Sequence, residues 1–121
     1  MFVEILSARE QDLFFIDIIL DNKKFRMFVD TGATNTVVFS DYFKSHNDGD
    51  IIHISRIRFT CVDGSAIYID NCKVYIKNLP YVQIPCKEHD VRCDGIMGVD
   101  LLKRVSPILI DYNDSRIYFS Y

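Results

Sequence analysis

Over most of its length the chain alternates apolar and polar positions with a period of two, the pattern of strands that turn one face toward a core. Residues 2–6 and 13–20 are short runs rich in β-branched and aromatic side chains. Residues 21–24 carry turn chemistry, so 25–29 reads as the returning strand of a hairpin. Residues 37–39 make another short strand, after which Ser40 can cap a brief helical turn over 41–44. A polar loop at 46–50 precedes two long alternating runs, 52–62 and 66–76, which flank Asp63, Gly64 and Ser65 as a long hairpin. One more strand is expected at 79–85. The segment 99–105 is the one convincing helix, with Asp100 in its first turn and Lys103 and Arg104 in its last, as the helix dipole favours. Strands at 108–110 and 116–119 close the chain as a hairpin. The segment 116–121 suits either an internal strand or a strand shared between two subunits. With no linker, low-complexity tract or repeat, the pattern predicts one all-β domain over residues 1–121.

Composition narrows the functional classes. A chain of 121 residues with 49% hydrophobic and 26% charged residues can fill a core and fold without staples, although a dimer would add burial. Lysine plus arginine number 14 against 17 acidic residues, for a net charge of -3, which gives no basic surface for nucleic acid. No apolar run approaches the roughly 20 residues that would cross a bilayer, so no membrane partner is expected. The opening residues lack the basic region of a secretory signal. Four cysteines (Cys61, Cys72, Cys86 and Cys93) without an export signal are expected as reduced thiols in a cytoplasmic setting. Excision from a longer precursor stays open.

The sharpest chemical signal is the apolar run that ends in Phe28 and Val29 and delivers Asp30 into Thr31, Gly32 and Ala33. Gly32 lets the backbone bend tightly beside the carboxylate. By itself Asp-Thr-Gly is also an ordinary strand-ending turn. Downstream, however, Asp94 and Gly95 lead into Ile96, Met97 and Gly98 and then directly into the expected helix. In these two motifs, with a hairpin between them and a closing strand after them, the chain resembles the retropepsin-like aspartic peptidases, single-lobe relatives of pepsin. The resemblance runs in order and spacing over about residues 13–119.

The resemblance implies an acid-protease barrel of one lobe with a flap hairpin and one short helix, active as a homodimer. Asp30 would be the catalytic carboxylate. Thr31 would reach across the twofold axis to brace the opposing loop, and Gly32 would bind substrate backbone, with Ala33 completing the active-site loop. Val62, Asp63, Gly64 and Ser65 would form the flap tip over an extended peptide. Ile96, Met97 and Gly98 would pack beneath the catalytic loop and support it. The chemistry explains the dimer: activating water on a peptide bond needs a carboxylate and a carboxylic acid together, and two adjacent aspartates share one proton. Since this chain holds one such motif, symmetry must supply the second carboxylate.

Ala33 cannot donate to the catalytic carboxylate as a hydroxyl residue would, which points to activity at mildly acidic or neutral pH. Retroviral enzymes usually place an Asp after the first motif, paired with an Arg after the second. Here Thr34 and Asn35 follow one, and Val99 and Asp100 the other, so that ion pair is absent and the pattern is closer to cellular and bacterial relatives. Cys86, His89 and Cys93 could supply three ligands to zinc, one short of a structural site, and no metal or organic cofactor is expected. The expected function is therefore an aspartic endopeptidase acting on polypeptides. Two alternatives are a noncatalytic dimeric peptide-binding module of the same fold and a domain that processes its own precursor.

Overall fold

The structure is a computed structural model that describes residues 1–10, 12–39 and 46–121. The helical turn expected after Ser40 lies outside the described residues.

Strand β3 (Leu13–Leu20) sends Phe14, Ile16, Ile18 and Leu20 inward and is followed by β4 (Lys23–Val29), which buries Phe25, Met27 and Val29. The strands are joined through Asp21 and Asn22, both at positive φ (43° and 74°), as a two-residue hairpin of right-handed twist requires. Strands β6 (Ile51–Thr60) and β7 (Ala66–Lys77) form the long hairpin that the alternation predicts. Strand β5 (Val37–Phe39) runs parallel to the end of β7.

What closes the fold is β10 (Gly95–Met97), which inserts between β4, to which it is parallel, and β5, to which it is antiparallel. With β3 also pairing to β6, the order β3, β4, β10, β5, β7, β6 returns to its start as a closed six-stranded barrel. Closure satisfies strand edges that would otherwise be open to other chains. The insertion demands glycine: a Cβ on Gly95 would lie 2.4 Å from the Val37 carbonyl oxygen and 2.8 Å from Met27.

Inside the barrel lies the main apolar core, to which the helix α1 (Val99–Leu102) and a following 3-10 turn (Lys103–Val105) add Leu101, Leu102 and Val105. Among the described residues α1 is the single short helix. A second cluster covers the opposite face of the same sheet, where Phe15 and Phe39 pack under a hairpin of β8 (Val82–Ile84) and β9 (Val91–Cys93). Phe28 joins it with its ring centroid 5.7 Å from that of Phe15.

Strand β2 (Ser7–Glu10) adds to the open half of β3, while β1 (Phe2–Ile5) leaves the barrel for a separate sheet with β11 (Leu109–Asp111) and β12 (Arg116–Ser120). The order is β1, β12, β11, so β12 is an internal strand with both edges paired within its own chain. Its Phe119 packs edge-on against Phe59 of the barrel at 5.4 Å, tying the two sheets together. The strand expected over 79–85 shrinks to three residues, because Pro80 and Pro85 lack the amide proton a ladder needs. Strands β2, β9 and β10 have no alternation long enough to announce them.

Candidate active site

Strand β4 ends at Val29, and the chain turns at once through Asp30, Thr31, Gly32 and Ala33. The turn is closed by the Ala33 amide, which donates to the Asp30 carbonyl at 3.2 Å. The Gly32 amide donates to Asp30 Oδ1 at 2.9 Å, which fixes the orientation of the carboxylate. Asp30 is half-buried, whereas Thr31 and Gly32 are exposed beside it, so the loop presents a carboxylate at a surface instead of in the core.

The loop is held from below by the second motif. Asp30 N–H donates to the Met97 carbonyl at 3.1 Å, Val99 N–H to the Ala33 carbonyl at 2.8 Å, and Asp100 N–H to the Thr34 carbonyl at 3.2 Å. Met97 is fully buried and Ile96 half-buried, one on each face of β10. Gly98 lies so close under the loop that a Cβ would meet the Asn35 carbonyl carbon and oxygen at 2.6 Å and the Ala33 oxygen at 2.9 Å. Its φ of -97° is open to any residue, so glycine is required here by space and not by backbone conformation.

Two further residues complete the support, and neither stood out as a site residue in the sequence. Thr36 is the fully buried polar side chain among the described residues. Its hydroxyl donates to Asp100 Oδ1 at 2.7 Å and accepts from the Gly98 amide at 3.0 Å, while its own amide donates to Asp100 Oδ2 at 3.0 Å. Asp100 Oδ1 also accepts from the Leu101 amide at 2.8 Å. The signal available in the sequence was the Thr at the head of an apolar strand and the Asp in the first turn of the helix. Their separation of 64 positions kept them from being read as a pair.

The turn expected as the flap tip lies at the end of the β6–β7 hairpin. Val62, Asp63, Gly64 and Ser65 are all exposed, and Gly64 takes φ +88° at the tip. Asp63 Oδ1 accepts from the Ser65 hydroxyl at 2.6 Å and its amide at 2.9 Å, and these bonds hold the Asp63 carboxyl below the usual range. The base of the turn is fastened to β1: Cys61 bridges Ile5, Val62 N–H donates to the Glu4 carbonyl at 3.0 Å, and Leu6 N–H donates to that of Thr60 at 2.9 Å. Along β7 the turn lies about ten residues from Tyr75, whose amide bonds Thr36, which is roughly 30 Å of strand. The bonds at Cys61 and Val62 join the base of the turn to β1 of the terminal sheet.

Cys86, His89 and Cys93 do not converge. The Cys93 thiol is buried and donates to the Gly95 carbonyl at 2.9 Å, Cys86 is half-buried, and His89 is exposed, 3.8 Å from Glu10. No group of three or more metal-binding side chains occurs among the described residues. Nor is any helix among them long and apolar enough to cross a membrane.

No protein-family model and no curated protein matches this sequence. Solved structures do match the fold. A retropepsin-like aspartic protease from Rickettsia conorii superposes with a TM-score of 0.63 at 20% identity, covering 100% of this chain and 92% of that one. The retroviral protease-like domain of Ddi1 from Leishmania major superposes with a TM-score of 0.51 at 15% identity, covering 89% of this chain and 92% of its own. At such identities the likeness establishes the fold. This chain has a retropepsin-like, all-β architecture with one short helix.

Proposed function

We propose that this chain, built on the retropepsin-like fold, is an aspartic endopeptidase that works as a homodimer with one Asp30 from each subunit. The observation that carries the reading is the carboxylate of Asp30, oriented by the Gly32 amide at an exposed turn and braced from below by residues 97–100. Such bracing serves a group that must keep its place while it reacts. In the dimer the two carboxylates hold one proton between them, because neighbouring like charges oppose double ionisation. The ionised member takes a proton from the water between them as that water attacks the peptide carbonyl. The protonated member donates to the carbonyl oxygen, and no metal or organic cofactor enters the reaction.

The exposure of Thr31 and Gly32 supports their contact with the opposing loop and with substrate backbone. Phe28 and Ile96 are paired across β4 and β10 beside Asp30 and are only partly buried, which supports a preference for apolar side chains flanking the cut. Exposed Met1, Phe2 and Tyr121 on the terminal sheet support a second copy of the chain as partner. Four free thiols, three of them buried, support a reducing, cytoplasmic setting.

The test is digestion of a diverse peptide mixture read by mass spectrometry, with wild type and Asp30→Asn compared from about pH 4 to 8. Cuts made by wild type alone support the proposal and define both preference and pH range. Folded, dimeric wild type that makes no cut at any pH refutes it.

A further inference from the structure

We propose that Thr36 and Asp100 form a positioning latch that couples the Asp30 loop to helix α1, so that the two behave as one rigid body. The inference rests on the peptidase reading for its catalytic consequence, but its structural content stands apart from it.

Thr36 is fully buried, and a buried hydroxyl is costly unless its hydrogen-bonding capacity is used. Here the hydroxyl donates to Asp100 Oδ1 and accepts from the Gly98 amide, the Thr36 amide donates to Asp100 Oδ2, and the Thr36 carbonyl accepts from the Tyr75 amide at 3.0 Å. Every polar group of the residue is therefore satisfied, and three of the four bonds run to residues 98–100. Asp100 in turn accepts from both the loop and its own helix, through Thr36 and the Leu101 amide.

The latch sits close to the reacting group. Gly98, which donates to the Thr36 hydroxyl, follows Met97, whose carbonyl accepts the Asp30 amide. A shift of Thr36 away from Asp100 frees the far end of the loop while its near end stays bonded to Met97, and so tilts the carboxylate. One carboxylate on the helix, receiving a hydroxyl and backbone amides, ties the two segments together.

A positioning role differs from general stabilisation in where its loss is felt. Thr36→Val keeps the shape of the side chain but removes both hydroxyl bonds, stranding the Gly98 amide. Thr36→Ser restores them. Asp100→Asn retains one acceptor but sets an amide NH2 toward the Thr36 or Leu101 N–H. Measured on the full chain, Thr36→Val is expected to lower kcat by about 10- to 100-fold with KM changed less than threefold, and Thr36→Ser to stay within threefold of wild type. Amide hydrogen exchange should quicken at Gly98 and residues 31–36 in Thr36→Val while protection in β6 and β7 is kept.

The proposal is overturned if Thr36→Val matches wild type in kcat and in exchange. It is equally overturned if exchange rises evenly across the barrel, since that marks a purely structural threonine. Should Thr36→Val fail to fold, Asp100→Asn is measured by the same two readouts, and the same results uphold or overturn the latch. If wild type itself cuts nothing, the peptidase reading falls. In that case localised exchange in the variant still upholds the latch, and unchanged exchange refutes it.

Discussion

Replacing Gly98 with alanine tests how tightly the second motif holds the Asp30 loop. The new Cβ would sit 2.6 Å from the Asn35 carbonyl carbon, against about 3.5 Å for an unstrained carbon contact, so loop and strand must part by roughly 0.9 Å. The atoms it meets belong to backbone, which cannot swing aside as a side-chain tip would. The displacement acts on the bonds from Val99 to Ala33 (2.8 Å) and from Asp100 to Thr34 (3.2 Å), stretching both beyond normal hydrogen-bond length. Overpacking of this kind costs about 1–3 kcal/mol, and each weakened backbone bond adds about 0.5–1.5 kcal/mol. A loss of roughly 2–6 kcal/mol follows, with partial relaxation of the loop setting the lower end. For a chain of this size, that lowers the thermal midpoint by about 8–30 °C. Gly64→Ala is the control, because Gly64 has φ +88° but nothing within 4 Å of its missing Cβ, so only backbone strain of about 1–2 kcal/mol applies. Urea unfolding of the three proteins reads the difference directly. A Gly98→Ala variant no less stable than Gly64→Ala would refute the close approach of loop and strand as a source of stability. It would mean that the loop yields freely, and the rigidity ascribed to the site would go with it.

Two other outcomes follow from the charges and thiols. Burial alone would raise the Asp17 carboxyl, but the hydrogen bond and charge of Arg26 at 3.0 Å, together with Lys24 at 3.4 Å, outweigh it and leave the group below its usual 3.8. A carboxyl depressed by folding stabilises the protein above its unfolded value and loses that contribution as pH falls through its folded value. Asp17→Asn should therefore lose less stability than wild type on acidification below about pH 4, read from urea midpoints; parallel pH curves for the two would refute this. Burial raises the thiols of Cys72 and Cys93 away from the reactive thiolate, and Cys61 is also buried. Cys86 is raised as well but is half-buried, so a thiol reagent at neutral pH should label it first and reach the others only on unfolding. Mass mapping that finds Cys72 or Cys93 labelled ahead of Cys86 would contradict the packing described.

Much of this protein is legible in its sequence because strand alternation and short motifs are local properties. Period two marks which residues of β3, β4, β6 and β7 face the core, since successive side chains of a strand leave on opposite sides. Asp30, Thr31 and Gly32 announce a carboxylate on a tight turn. Ile96, Met97 and Gly98 running into an Asp-bearing helix identify the segment that lies beneath it. Alternation, however, names a face and not a partner. That β10 slips between β4 and β5, and that β3 closes onto β6, depends on pairings between strands far apart in the chain. The same limit applies to the turn at Val62 to Ser65: its sequence is that of any exposed hairpin tip, and only the fold shows its base bonded to β1. It also left open whether β12 pairs within or between subunits, which the flanking strands β1 and β11 decide for this chain. Thr36 reads as an ordinary polar residue before a short strand, and becomes the buried centre of the site's support once the fold sets Asp100 against it. Local conformation and the chemistry of the turn thus belong to the residues themselves. Which distant backbone and carboxylate groups hold that turn in place is settled only when the chain folds, because a hydrogen bond depends on distance in space and carries no mark in the spacing of residues along the chain.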